Sequence, residues 1–261
     1  MKKQNKYVLK DFLILWSTQS ISQLGSSMTA YALTLWLYEQ TGSSLSTAAL
    51  TICSYAPYVL MSIFAGALTD RFDKKKLMLI CDTFAAVCTV TILALFCTGQ
   101  LSVWHLYLLN MVSGLMNTVQ QPASDVAMTL IVPQEYFQKT SGLRSLSRSL
   151  ISILNPLIAT AVYSLAGLQL VIAIDLGSFL VAFVSLLLLI RIPKQAQQTE
   201  ESVWELAKGG SRVLGMVTSC SGIAMIFGSL LVSVLPKPKN RVRVVYLTML
   251  FSLGTENFLL A

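Results

Sequence analysis

Asp175 is a lone carboxylate inside a run of apolar residues between positions 168 and 190. At the centre of a bilayer an ionised aspartate costs about 2.5–3.5 kcal/mol on insertion scales, so such residues are normally functional or paired. The chemistry open to Asp175 is reversible uptake of a proton or a cation. The competing role is an aspartate packed protonated against Ser178, or one near the outer water boundary. Asp82, near the start of another apolar run, offers the same coupling chemistry, or an ion pair with Arg144 or Arg148. Two polar stripes accompany these acids. Gln19, Ser22, Gln23 and Ser26 follow i, i+3, i+4, i+7 spacing, and Asn110, Ser113, Asn117 and Gln121 follow i, i+3, i+7, i+11. Lipid cannot satisfy their hydrogen bonds, so each stripe faces either a cavity or another helix. Trp16, Trp36, Tyr55 and Tyr58 fit a pocket for a lipophilic compound, or else interfacial anchoring and packing.

Catalytic and metal chemistry have no carriers. His105 is the single histidine, and no nucleophile–base set, Gly-Lys-Ser/Thr phosphate loop or ligand-spaced cluster occurs. The five cysteines, Cys53, Cys81, Cys88, Cys97 and Cys220, lie within or beside apolar runs and are read as packed or lipid-facing thiols. The expectation is therefore a protein that is not an enzyme and needs no cofactor, with any transport driven by gradients rather than ATP.

The elements that must position these residues are long apolar helices. The chain of 261 residues is 54% hydrophobic and only 12% charged, and its mean hydropathy is +0.66. A soluble chain carries about twice that charged fraction, so a multi-pass helical membrane protein is expected. Its net charge of +7 is spread over the loops, which argues for orientation in the bilayer and against a nucleic-acid footprint. Six spans are expected at about 12–38, 46–69, 77–97, 103–122, 145–165 and 168–191. The first is too long for the core of a cleaved signal peptide. With a cytoplasmic N-terminus, every Lys and Arg up to Arg212 falls on the inner side, and the three outer links carry none.

Three regions follow. Residues 1–192 form a six-helix N-terminal transmembrane half, 193–212 a soluble cytoplasmic linker, and 213–261 a partial second half of two hydrophobic segments. A single crossing at Val213–Leu235 would place Lys237, Lys239, Arg241 and Arg243 outside, against the orienting signal. The conflict disappears if one span is missing before Val213.

The stretch from Gly66 through Leu68, Asp70 and Arg71 to Lys74-Lys75-Lys76 lies between two apolar runs, after the second span. It resembles the signature loop of the major facilitator superfamily of secondary transporters. Ser22-Gln23-Leu24-Gly25, Gln121-Pro122-Ala123 and Ile174-Asp175-Leu176-Gly177-Ser178-Phe179-Leu180 are most similar to the macrolide-efflux and enterobactin-exporter branch. The resemblance implies an all-α polytopic bundle: the six-helix N-terminal half of a facilitator fold plus about two further helices, lacking helix seven and those after nine.

It also implies a multi-pass cell-membrane exporter of a small lipophilic or amphipathic, drug- or macrolide-like compound, with protons as coupling ion and no nucleic-acid partner. The oligomeric state is left open. Gly66, Asp70, Arg71 and Lys75 would belong to the gating motif, and Asp175 and Asp82 to coupling. Gln19, Gln23, Asn110, Asn117, Gln121 and Asn155 would line the cavity. Asn155 precedes Pro156 where antiporters of the superfamily carry glycine, a departure from their pattern. The alternative is a shortened, transport-inactive relative or membrane scaffold keeping only the N-terminal half.

Overall fold

The computed structural model describes residues 2–190 and 192. They form α1 (Lys2–Thr41), α2 (Ser44–Arg71), α3 (Lys74–Cys97), α4 (Val103–Ile131), a short 3-10 turn (Gln134–Tyr136) and α5 (Phe137–Val184), which ends in a π turn (Ser185–Leu189). Local chemistry sets the helix starts. Ser43 Oγ accepts from the Ser46 backbone N–H at 3.4 Å to open α2. Asp73 Oδ1 accepts from the Lys75 and Lys76 N–H groups at 3.0 and 3.2 Å to open α3. At α4 the Ser102 N–H donates to His105 Nδ1 at 3.2 Å. The histidine thus does the reciprocal work that a Glu performs in a capping box, which accounts for it without any catalytic role.

The expected arrangement of six helices followed by about two more is overturned for the described residues. The described residues form an all-α bundle of five α-helices. Three segments, Ser44–Met61, Lys74–Cys97 and Phe137–Leu189, are long and apolar enough to cross a membrane. Polar stripes dilute the hydropathy of α1 and α4 and keep them out of that set. The stretches expected as spans five and six belong to one element, α5, whose backbone departs from helical geometry at Gly167 (φ 74°, ψ −175°). That left-handed φ suits glycine, which has no Cβ to clash. The linker and the two hydrophobic segments expected at 193–261, and the missing-helix pattern drawn from them, lie outside the described residues.

Contacts with α1 show what α5 does at Gly167. Before it, α5 runs parallel to α1: Ser147 faces Ser20 (3.2 Å), and Tyr163 donates to Glu39 (2.5 Å). Beyond it the chain returns antiparallel. Asp175 meets Ser26, and Leu186 and Ile190 pack with Phe12 and Leu15. Both halves of α5 therefore flank the same helix.

Two apolar clusters hold the ends of the bundle. One gathers Leu33, Leu37, Leu50, Ile92, Leu106, Leu168 and Ile172. The other gathers Phe12, Leu15, Met78, Met128, Ile131, Leu186 and Ile190 near the basic loop. Leu60, Trp104, Ile153, Leu165 and Leu188 are turned outward and exposed. So much outward apolar surface suits hydrocarbon rather than water.

Candidate functional site: a polar cavity inside the bundle

Between the two apolar clusters the helices form a partly open cavity of about 690 Å³, lined from α1, α2, α3, α4 and α5. That volume lies within the roughly 300–1,000 Å³ typical of small-molecule sites. Gln19, Gln23, Asn110, Asn117, Gln121 and Asn155 line it, as do Asp82 and Asp175. Of the four aromatics, Trp16, Tyr55 and Tyr58 line the cavity. Trp36 packs edge-on against Phe96, with ring centroids 6.1 Å apart.

Asp175 is 4% exposed. Its Oδ1 accepts from Ser26 Oγ at 2.9 Å, and Thr29 lies beside the same carboxylate. Ser178, the partner weighed from sequence, donates instead to the Asp175 backbone carbonyl at 2.8 Å. Close approach of α1 makes this possible. A Cβ on Gly25 would overlap Ser178 Oγ and come within 3.0 Å of the Asp175 Cα. Glycine lets the two backbones touch where a larger residue would push them apart.

Asp82 is 8% exposed. It accepts a short hydrogen bond from Gln120 Nε2, and Gln19 lies beside it. Its expected arginine partners are engaged elsewhere. Arg144 makes a close ion pair with Asp125, and Arg148 Nη2 lies 3.5 Å from the same oxygen. Sequence reading missed Asp125, although it extends the α4 stripe one helical step beyond Gln121, at i+4. The signal was hidden because the fourth span was ended at 122, whereas α4 runs to Ile131.

The cavity also holds polar atoms without partners among the described residues. Trp16 Nε1 is a buried donor and Asn155 Oδ1 a buried acceptor, and both residues face the cavity. No group of three or more potential metal ligands occurs among the described residues. Carboxylates held by neutral hydroxyls and amides, inside a lipid-facing shell, can exchange a proton or hold a cation. Nothing in the arrangement supplies a nucleophile with its base.

The basic loop lies at the end of α2. Gly66 and Asp70 are in its last turns, and Arg71 closes it, exposed. Lys75 reaches the other side of the bundle: its Nζ donates to the backbone carbonyls of Leu187 (3.0 Å) and Ile190 (2.7 Å). An ammonium on the unsatisfied carbonyls of a helix C-terminus is favoured by both the hydrogen bonds and the helix dipole. Lys75 thus ties the start of α3 to the end of α5.

Comparison with known proteins fits this arrangement. The chain is 29% identical over 202 residues to "Macrolide efflux protein A" of Streptococcus pyogenes, covering 77% of this chain and 49% of that protein. It is 29% identical over 153 residues to the protein of the same name from Enterococcus faecalis, covering 58% and 46%. It is 26% identical over 190 residues to "Uncharacterized MFS-type transporter YkuC" of Bacillus subtilis, covering 72% and 44%. The chain therefore spans about half the length of the curated relatives it matches. A model of the Major Facilitator Superfamily matches residues 15–255, and with that match over nearly the whole chain, joined to a lipid-facing all-α bundle around a polar cavity, the protein belongs to the major facilitator superfamily of membrane transporters.

Proposed function

We propose that this chain serves secondary active export of a small lipophilic or amphipathic compound, drug- or macrolide-like, in exchange for protons, with its N-terminus in the cytoplasm. The observation that carries the reading is the pair of buried carboxylates, Asp175 and Asp82, in a polar cavity of drug-sized volume. The names of the macrolide-efflux relatives support the substrate class. Positive charge confined to one side of the sequence-read spans supports the orientation. In this reading Asp175 and Asp82 exchange the coupling protons. The cavity residues Gln19, Gln23, Asn110, Asn117, Gln121 and Asn155 present hydrogen-bonding groups to the substrate. Gly66, Asp70, Arg71 and Lys75 control the switch between inward- and outward-open states.

A second reading is a transport-inactive relative or membrane scaffold. Proteoliposomes separate the two. With an imposed pH gradient, a labelled macrolide should accumulate above the level of protein-free vesicles, and a protonophore should abolish the difference. Equal accumulation in both vesicle types would establish the inactive reading.

A further inference from the structure

We propose that the end of the cavity nearest the basic loop holds a subsite for the oxyanion of an amphiphile, built from Arg148, Arg144 and the Trp16 indole. Asp125 is the carboxylate paired with both arginines, and Arg144 takes its Oδ1 in the close pair. Arg148 is left 3.5 Å from that oxygen, with 57% of its side chain exposed, and it lines the cavity. Among the described residues two guanidinium groups share this one carboxylate, so positive charge exceeds negative at the pair. The planar fork of Arg148 suits a carboxylate or phosphate.

The indole is an independent observation. Trp16 Nε1 is buried and has no acceptor among the described residues; Trp16 lines the cavity, and a turn of the indole toward a guest would give this donor its missing hydrogen bond. Register brings it to the arginines. Ser20 meets Ser147 where α1 and the first part of α5 run parallel. Trp16 lies about one turn before Ser20, and Arg144 about one turn before Ser147, so both reach the same level. Met128 and Phe179 give the neighbouring wall an apolar surface for the guest's body. Asp82 shares the cavity but is held by Gln120. Asp175, at the level of Ser26 farther along α1, makes that part of the cavity unfavourable to an anion.

The inference goes beyond the export reading, and its test reads binding rather than transport, so either can fail alone. The probes are decanoate and decyltrimethylammonium, equal in tail and opposite in head, titrated calorimetrically into the full chain in phosphatidylcholine nanodiscs. Decanoate should bind, more weakly at high salt. R148Q should weaken it about tenfold or more and leave decyltrimethylammonium unchanged. W16F should weaken decanoate by a smaller factor. Nanodiscs containing phosphatidylglycerol assign the source: loss of decanoate binding there marks a lipid headgroup as the natural occupant, and its persistence marks a soluble anionic amphiphile. Unchanged decanoate affinity in R148Q, or equal losses for the two probes, overturns the subsite. Should R148Q fail to fold, unchanged affinity in W16F overturns it.

Discussion

Ser26 and Asp175, 149 residues apart in sequence, are joined by a 2.9 Å hydrogen bond from the serine hydroxyl to the carboxylate. The bond links α1 to the returning half of α5 and holds the acid at the cavity wall. It gives Asp175 a partner that is neutral and can donate to a carboxylate. A positive partner would fix the charge in place, whereas a hydroxyl lets it be gained and lost.

That relationship predicts a separation of coupling from folding. Asp175→Asn keeps an oxygen that can accept from Ser26 but cannot exchange a proton. Export should lose its dependence on the pH gradient, while protein abundance in the membrane stays near that of the parent. Ser26→Ala should cost about 1 kcal/mol of stability and leave some coupled export. An unaltered pH profile in Asp175→Asn would assign the residue to hydrogen bonding alone.

Under the proposed gating role, Asp70→Asn should insert normally and remove transport, because its place in the last turn of α2 suits conformational control more than folding. Membrane abundance and vesicle transport measured side by side check this. Full transport would withdraw Asp70 from the gating role.

Lys75→Met should free the end of α5. Loss of an ammonium from helix C-terminal carbonyls costs about 0.3–1 kcal/mol, so a small drop in thermal midpoint in detergent is expected. Faster proteolytic cleavage near Ile190 should accompany it. Lys75→Arg should restore much of both, since a cation remains within reach of the Leu187 and Ile190 carbonyls. Equal protease resistance in Lys75→Met and the parent would show that this tie does not hold the segment.

Two glycines in one region should respond oppositely to the same change. Gly25→Ala forces a Cβ into Ser178 and the Asp175 backbone, and overpacking of this kind costs about 1–3 kcal/mol. Gly177→Ala meets nothing within 4 Å and should gain up to about 1 kcal/mol from helix propensity. Thermal shifts of matched sign for the two variants would contradict the close approach of α1 and α5.

Much of the site was legible in sequence because helical periodicity fixes which residues share a face. The stripes at Gln19–Gln23 and Asn110–Gln121, and the lone acid at Asp175, could be read from spacing alone. The all-α class and the membrane setting followed from apolar run lengths. Periodicity says nothing, however, about how one helix is rotated toward another. For that reason tertiary structure alone decided that Asp82 pairs with Gln120, that Arg144 and Arg148 turn to Asp125, and that Lys75 ends on α5 carbonyls. The helix count was misjudged for a related reason. Hydropathy marks stretches of chain, but whether two stretches form separate elements or one continuous element that reverses at Gly167 depends on backbone geometry and packing against α1. In a bilayer, apolar burial does not choose between helix faces as it does in water. Small residues such as Gly25 and a few polar contacts set the rotation instead, and these are properties of pairs of helices, which no single stretch of sequence contains.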